Sequence, residues 1–255
     1  MRKIDLPAET ARIEEFIRSY LNQAGFSKLV LGLSGGVDSA VCAGLAVRAI
    51  GKENLMAVMM PYRKSNPNSL IDAETWAKQL GIEHRVIDIS GLTDSYFDKY
   101  EPDASQLRRG NWMARARMNV LFDHSAKLKA LVLGTSNRTE LLVGYFTQFG
   151  DSACALEPIG HLYKSEVWGL ARLLGVPQEI MDKKPSADLW EGQSDEDEMG
   201  IDYCTLDEIL YELMDLDLSF EGSDTLTHPR EIYQKVDRMV RSSAFKRSLP
   251  PIPGE

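Results

Sequence analysis

The residues best suited to chemistry form the loop Ser34-Gly35-Gly36-Val37-Asp38-Ser39, which directly follows an apolar run over residues 29–33. Glycines let successive backbone N–H groups point inward around an anion, and a helix that begins there adds partial positive charge. Ser34 and Ser39 add two hydroxyl donors. The pattern predicts a phosphate-binding loop. The alternative interpretation is an ordinary glycine turn that caps a helix.

Asp38 is unusual in a phosphate-binding loop, because a carboxylate repels a phosphate unless a cation lies between them. Carboxylate oxygens are ligands that Mg²⁺ accepts readily, while its remaining positions are left to water and phosphate. Asp38 is therefore a candidate magnesium ligand. No lysine follows the second glycine as it does in a Walker A loop, so the phosphate site is of another type.

The elements around this loop alternate between strands and helices. Strands are predicted over residues 29–33, 55–60, 84–89 and 130–133, and helices over 8–24, 40–50, 70–80 and 112–128. This alternation is typical of an α/β fold, with a parallel sheet and helices on both faces. Such sheets bind ligands beyond the carboxyl ends of their strands. The loops after Leu33, Met60 and Leu133 are therefore expected to meet at the site.

Beyond Gly134 the pattern predicts a helical C-terminal part without a strand, with helices over residues 164–174, 177–182, 206–213 and 229–240. Residues 185–200 lack periodicity and are rich in Asp, Glu, Ser and Gly, which predicts a mobile loop over the site. Ser194 and Asp197 are spaced as in a helix N-cap, and Asp195 to Glu198 are interpreted as a charged face in contact with solvent.

Composition limits the classes of protein that remain. A chain of 255 residues that is 44% hydrophobic can bury a large core, and a single domain over residues 1–255 is expected. Acidic residues outnumber basic ones by 38 to 29 without a basic run, which argues against nucleic acid as a partner. No apolar stretch is long enough for a signal or a membrane span, so no membrane partner and a cytoplasmic location are expected.

Two residue types that often form sites give no such signal here. The three cysteines, Cys42, Cys154 and Cys204, include no closely spaced pair and are interpreted as reduced thiols. The four histidines show no metal-ligand spacing, so a zinc site is not expected.

The glycine loop resembles the pyrophosphate loop of the ATP pyrophosphatases, which activate a carbonyl or carboxyl oxygen as an adenylate and share a Rossmann-like fold of the adenine nucleotide alpha-hydrolase type. Within that superfamily, further segments resemble NAD synthetases in order and spacing over most of residues 10–215. These segments are Ala114-Arg115-Ala116-Arg117-Met118, Gly134-Thr135-Ser136-Asn137-Arg138-Thr139-Glu140, Gly144-Tyr145-Phe146-Thr147-Gln148-Phe149-Gly150-Asp151, Pro185-Ser186-Ala187-Asp188-Leu189 and Trp190-Glu191-Gly192-Gln193-Ser194-Asp195-Glu196.

The resemblance implies a role for each residue that matches the family pattern. Asp38 and Glu140 are implied magnesium ligands, and Asp38 and Lys164 are the implied catalytic residues. The implied ATP site comprises Gly32, Leu33, Ser34, Gly35, Gly36, Val37, Asp38, Ser39, Thr135, Lys164 and Ser186. The implied deamido-NAD site comprises Arg115, Phe146, Gln148 and Asp151. A homodimer is implied as well.

The implied function is ATP- and Mg²⁺-dependent amidation of deamido-NAD by ammonia, through an adenylated dinucleotide, to give NAD, AMP and pyrophosphate. Fewer than 30 residues precede the first predicted strand, which leaves no room for a glutamine-hydrolysing domain, so free ammonia is the expected nitrogen donor. Two alternatives remain: another adenylating pyrophosphatase, such as a GMP synthetase or a tRNA-thiolating enzyme, and a nucleotide-binding regulator without catalysis.

Several of these residues also have ordinary structural interpretations. Taken alone, Glu140 is a solvated carboxylate at the start of a helix, which acidic residues favour. Arg115 and Arg117 are equally well a basic stripe on a surface helix, and Lys164 and Glu166 are equally well solvated.

The chain also departs from the commoner family pattern around the dinucleotide. The family usually has Lys at the position of Gln148, an acidic residue at that of Ala155, and a His near Phe245 and Lys246. A branch of the family resembles this chain in having a small-Cys-Ala run such as Ala153-Cys154-Ala155. An altered contact with the same substrate is therefore expected.

Overall fold

A computed structural model of the chain describes residues 2–190, 192–221 and 226–253. Within these ranges eleven α-helices are numbered in chain order. They are α1 (Leu6–Ala24), α2 (Val37–Ile50), α3 (Pro67–Leu80), α4 (Ser90–Tyr100), α5 (Gln106–Leu128), α6 (Arg138–Val143), α7 (Lys164–Leu174), α8 (Gln178–Met181), α9 (Asp195–Met199), α10 (Tyr203–Met214) and α11 (Arg230–Ser242).

The strands form one parallel sheet in the order β3-β2-β1-β4. They are β1 (Leu29–Gly32), β2 (Leu55–Met59), β3 (Glu83–Val86) and β4 (Leu131–Val132). Leu29 of β1 pairs with Leu55 on one side and with Leu131 on the other. The chain therefore changes direction across the sheet between β1 and β4, and the loops that follow these two strands face each other at the carboxyl edge.

Helices cover both faces of the sheet, as the alternation of elements predicted. Leu29 and Leu31 point into a core shared with Ile17 of α1 and Leu170 of α7. Val30, between them in β1, belongs to a second core, against which Leu121 of α5 packs. Both faces of β1 are thus buried, and β2 is buried throughout, which explains why these two strands are continuous apolar runs without alternation.

A third core lies in the helical C-terminal part. It is built by α10 and α11 against the end of α6, and its buried aromatic side chains include Tyr163, Tyr203 and Tyr233. The helix α10 has an N-cap at Asp202, whose side chain accepts the backbone N–H of Thr205 at 2.9 Å. This part brings the Tyr203 hydroxyl to 3.3 Å from the Glu140 carboxylate in α6.

The structure differs from the sequence prediction in several elements. The helix α5 begins at Gln106 instead of residue 112, because the Ser105 side chain caps it by accepting the Arg108 N–H. The helix α4 was not predicted. The segment 185–200, predicted as a loop, contains the short helix α9. Residues after Gly134 were expected to lack strand pairing, yet Leu156 forms an isolated parallel bridge with Leu133.

Across the described ranges, no helix combines the length and the apolar character that crossing a lipid bilayer requires.

The packing of α1 on the sheet gives a test of the first core. Ile17 is fully buried, whereas its neighbour Phe16 is 43% exposed. We expect Ile17→Ala to lower the free energy of unfolding by about 2–5 kcal/mol, because it leaves a cavity among closely packed side chains. Phe16→Ala is the matched control and should cost less than about 1 kcal/mol. Urea unfolding of both variants measures the difference, and equal losses would contradict this packing.

Candidate active site

The glycine loop joins β1 to α2 at the carboxyl edge of the sheet. Gly35 has a φ of 79°, and a Cβ there would lie 2.2 Å from the carbonyl oxygen of Ser69 in α3. Only glycine allows both the positive φ and this close approach. Gly36 is the N-cap residue of α2, so the first N–H groups of the helix face the loop.

Hydrogen bonds within the loop hold its shape. The Ser39 hydroxyl accepts the N–H of Ser34 at 3.2 Å and donates to the carbonyl of Gly36 at 3.0 Å. Leu33 and Val37 are buried on either side, while Ser34 is exposed. The residues predicted to bind ATP, from Gly32 to Ser39, therefore run from the end of β1 through the loop into the first turn of α2.

Three predicted site residues meet next to this loop. The Lys164 Nζ lies 2.6 Å from Asp38 Oδ2 and 3.2 Å from Glu140 Oε1. The Asn137 amide donates to the other oxygen of Asp38 at 2.9 Å. Asp38, Glu140 and Lys164 come from three different helices, so the fold has brought together residues that are distant in sequence.

The local structure explains how these side chains are positioned. Asn137 is the N-cap residue of α6, and its side-chain oxygen accepts the N–H of Glu140 at 3.0 Å. One buried amide thus holds the carboxylate of Asp38 and also caps the helix that carries Glu140. Lys164 is the first residue of α7, and its N–H donates to the Thr139 hydroxyl at 3.0 Å. Asp38, Glu140 and Lys164 therefore each lie in the first turn of a helix whose start is held next to the glycine loop.

Electrostatics keeps Lys164 charged. Burial of its ammonium group lowers the pKa, but Asp38 and Glu140 raise it by more, and the net direction is upward. Burial raises the pKa of Glu140 to about 7, against the lowering effect of Lys164. Lys164 is only 2% exposed and Glu166 only 6%, so the interpretation of these two residues as solvated is wrong.

Asp195 joins the same cluster, and sequence reasoning missed it. Its side chain is 5% exposed and accepts hydrogen bonds from Tyr145 at 3.0 Å and Tyr203 at 3.2 Å. The Tyr203 hydroxyl also lies 3.3 Å from Glu140. The interpretation of Asp195 as part of a solvated face is wrong, whereas Asp197 and Glu198 are exposed as expected. The predicted N-cap at Ser194 is confirmed.

The segment that includes Ser186 folds back on Asp195 and on the loop after β2. The Ala187 N–H donates to Asp195 at 3.2 Å, and Asp188 accepts the N–H of Asn66 at 3.0 Å. Ser186 is exposed, and Thr135, directly after β4, is half-buried. Glu191 of the predicted motif lies outside the described residues.

A further cation, Lys183, contacts the glycine loop and was not predicted. Its Nζ donates to the Gly35 carbonyl at 3.0 Å and lies 2.5 Å from Asp72 of α3. The sequence signal was weak, because a lysine before Pro185 is equally common on a surface.

The residues predicted to bind the dinucleotide lie together in a neighbouring region. Arg115, exposed on α5, donates to the carbonyl of Gln148 at 3.3 Å. Asp151 accepts the N–H of Thr147 at 2.8 Å. The ammonium group of Lys246 lies 5.3 Å from the centroid of the Phe146 ring. It also donates a hydrogen bond to the backbone carbonyl of Phe146 at 3.0 Å. In the described part of the chain, no hydrogen bond or ion pair joins these dinucleotide residues to Asp38.

Asp38 and Glu140 are the residues of this cluster that could hold a divalent cation. One oxygen of Asp38 and one oxygen of Glu140 lie next to the ammonium group of Lys164, so the two carboxylates share one positive charge. The described residues contain no group of three or more His, Cys, Asp or Glu residues arranged to hold a metal by themselves. Such a site suits Mg²⁺ with water and phosphate oxygens as its other ligands.

A parallel sheet with a glycine loop and a buried carboxylate–lysine cluster at its carboxyl edge is typical of α/β proteins that bind phosphate groups. Comparison with known proteins specifies the family. The sequence model described as NAD synthase matches residues 9–250. The chain therefore belongs to the NAD synthase family.

Individual relatives agree with this family over nearly the whole chain. The NH(3)-dependent NAD(+) synthetase of Fusobacterium nucleatum is 49% identical over 252 residues, which cover 98% of this chain and 97% of the relative. The NMN synthetase structure from Francisella tularensis superimposes with a TM-score of 0.87 at 31% identity, covering 99% of this chain and 100% of that chain. The NH3-dependent NAD synthetase structure from Campylobacter jejuni has a TM-score of 0.83 at 34% identity, covering 98% and 99%.

The burial of Asp195 gives a test that needs no assay of function. Asp195→Asn removes the charge and leaves one acceptor oxygen for the hydroxyl groups of Tyr145 and Tyr203. We expect it to lower the free energy of unfolding by about 1–3 kcal/mol and to speed proteolysis of residues 185–200. The exposed Asp197→Asn is the matched control, with a change of about 0.5 kcal/mol or less. A control as damaging as Asp195→Asn would refute the role of Asp195 as an anchor.

Proposed function

We propose that the protein catalyses the ATP-dependent amidation of deamido-NAD by ammonia, giving NAD, AMP and pyrophosphate. The observation that carries this proposal is the Asp38–Lys164–Glu140 cluster beside the glycine loop, in a chain of the NAD synthase family. The name of the Fusobacterium nucleatum relative supports ammonia as the nitrogen donor. The cluster argues against a regulator without catalysis, because binding alone does not require a buried lysine between two carboxylates at a phosphate loop.

In the first step, a nicotinate carboxylate oxygen attacks the α-phosphate of ATP and pyrophosphate leaves. This reaction requires positioning and neutralisation of charge, and no side-chain nucleophile. The N–H groups at the start of α2 and the Lys164 ammonium group supply positive charge toward the phosphates. Asp38 and Glu140 would hold Mg²⁺, which when bound neutralises charge on the departing pyrophosphate.

The remaining ATP contacts are assigned to residues around the same edge. Thr135 follows β4, Ser186 lies in the segment held by Asp195, and Ser34 and Ser39 lie in the loop itself. Their hydroxyl groups are suited to phosphate or ribose oxygens.

The deamido-NAD site is assigned to Arg115, Phe146, Gln148 and Asp151. The hydrogen bond from Arg115 to Gln148 supports a common role for the helix α5 and the loop after α6. An arginine can bind a phosphate or a carboxylate bidentately, and the Phe146 ring offers a flat apolar surface for a base.

In the second step, ammonia attacks the adenylated carboxyl carbon and AMP leaves. Water must be kept from this intermediate. The segment 185–200 is suited to that task, since the buried Asp195 holds it against Tyr145 and Tyr203 beside the cluster. We further propose that the protein is cytoplasmic and acts as a homodimer.

A second candidate substrate comes from the Francisella tularensis structure, which is that of an NMN synthetase. Its similarity favours testing the nicotinate mononucleotide beside deamido-NAD, because both carry the same reacting carboxylate. The purified protein should be incubated with ATP, Mg²⁺ and ammonium, and with each of the two substrates in turn. NAD, NMN and AMP are then quantified by chromatography. Absence of NAD with deamido-NAD present would refute the proposed function.

Removal of either carboxylate charge from the cluster should nearly abolish turnover. We expect Asp38→Asn and Glu140→Gln each to reduce kcat by about 10²–10³, since each weakens the cation site that stabilises the leaving pyrophosphate. Circular dichroism should show an intact fold. Thr75→Ala on the exposed face of α3 is the control and should retain full activity. Unchanged kcat at saturating Mg²⁺ would remove the affected residue from the site.

The dinucleotide assignment makes a separate prediction about substrate affinity. Gln148→Lys should change KM for deamido-NAD more than KM for ATP, by roughly tenfold, because it exchanges a neutral hydrogen bond for a charge-assisted one. Arg115→Ala should weaken the use of deamido-NAD severely. Steady-state kinetics with each substrate varied in turn measures both effects. If neither variant alters deamido-NAD kinetics, the assigned binding site is wrong.

A further inference from the structure

The carboxylate of Glu157 lies beside the loop that follows β4, and it has no role in the adenylation or amidation steps proposed for the other residues. One of its oxygens accepts the backbone N–H of Ser136 at 3.0 Å, and the other accepts the thiol of Cys154 at 3.2 Å. The residue is half-buried. In the ranges that the structure describes, no lysine, arginine or histidine forms an ion pair with it. Glu157 is therefore a partly desolvated anion whose protein partners are all neutral.

The backbone around Glu157 fixes its position. The segment that leads to it pairs with β4, since the Ala155 N–H donates to Val132 and the Gly134 N–H donates to Leu156, both at 2.9 Å. A Cβ on Gly134 would lie 2.4 Å from the carboxyl carbon of Glu157. The carboxylate thus packs directly on the backbone at the point where β4 ends, and glycine at residue 134 makes this approach possible.

This position connects Glu157 to both parts of the site. Ser136, which donates to Glu157, immediately precedes Asn137, which donates to Asp38 at 2.9 Å. On the other side, Asp151 of the assigned dinucleotide region acts electrostatically on Glu157. Glu157 is thus connected to Asp38 through the adjacent residues Ser136 and Asn137, and electrostatically to Asp151 of the region assigned to deamido-NAD.

The environment makes this carboxylate a proton acceptor near neutral pH. Burial raises the pKa of Glu157 to about 7. The hydrogen bonds from the Cys154 thiol and the Ser136 N–H lower this pKa, and the charge of Asp151 raises it further. A general base is most effective when its pKa is close to the working pH. Among the species in the proposed reaction, ammonium is a small cation that must also lose a proton before it can attack.

We propose that Glu157 binds the ammonium ion and accepts one of its protons, a role that rests on the proposed amidation. The neutral nitrogen then forms a bond to the adenylated carboxyl carbon, and the C–O bond to AMP breaks with its electron pair on the AMP oxygen. The second proton leaves the nitrogen for solvent as the amide forms. Glu157 returns its proton to solvent before the next cycle.

The test separates the two steps of the reaction in Glu157→Gln, which keeps the size of the side chain. Exchange of labelled pyrophosphate into ATP needs deamido-NAD but no ammonia, and it should stay within about twofold of the unmodified protein. The KM for ammonium should rise by about tenfold or more, because a charge-assisted contact becomes a neutral one. AMP release should then exceed NAD formation, since water competes for the intermediate.

Two further variants complete the experiment. Glu157→Asp keeps the charge and should raise KM for ammonium less than Glu157→Gln, and it decides alone if the glutamine variant does not fold. Glu9→Gln is the matched control, because Glu9 on α1 is half-buried and bonded to Arg12 and His161, neither of which is assigned to the site. It should leave KM for ammonium unchanged.

Several results would overturn the role of Glu157. An unchanged KM for ammonium in Glu157→Gln, or in Glu157→Asp when only that variant folds, would do so. Loss of pyrophosphate exchange in Glu157→Gln would also do so, because it would assign the residue to the first step. Absence of exchange in the unmodified protein would instead refute the proposed function itself.

Discussion

The ammonium group of Lys164, buried between Asp38 and Glu140, is the interaction on which the rest of the site depends. Its nitrogen lies 2.6 Å from one carboxylate and 3.2 Å from the other, with almost no contact with solvent. Loss of one partner from a buried ion pair costs about 3–5 kcal/mol, because the other charge is left without compensation. The helices α2, α6 and α7 must therefore keep their relative positions for the protein to hold these charges at all.

The helix starts help to explain the arrangement of the three charges. Asp38 and Glu140 lie in the first turns of α2 and α6, where the partial positive charge of a helix stabilises a carboxylate. Lys164 lies at the first residue of α7, where the same effect is unfavourable to a cation. The two carboxylates offset that cost, and the result is a lysine that stays charged at a position where phosphate groups are expected.

Local sequence patterns predicted the sheet, most helices and the glycine loop, because each follows from the periodicity or conformation of neighbouring residues. The helix α4 was missed because two of its three buried residues, Thr93 and Asp94, are polar, and Phe97 alone gives no apolar period. Asp195 was misread because its burial depends on Tyr145, 50 residues away in the chain. Lys164 and Asp38 are 126 residues apart, so no local pattern could predict their contact, and only the resemblance to a family placed both residues in one site. The ligand-binding roles of these residues remain predictions.

The two neighbouring glycines of the loop differ in how much variation they allow. At Gly36 the φ is −94° and an added Cβ would meet only the Ser34 hydroxyl, at 3.3 Å, so a small side chain needs a slight rotation of one serine. At Gly35 the obstacle is the main chain of α3 itself, which cannot rotate away. Substitution of Gly35 by any residue with a side chain is therefore excluded by the backbone of α3, whereas the free protein has space for alanine or serine at residue 36.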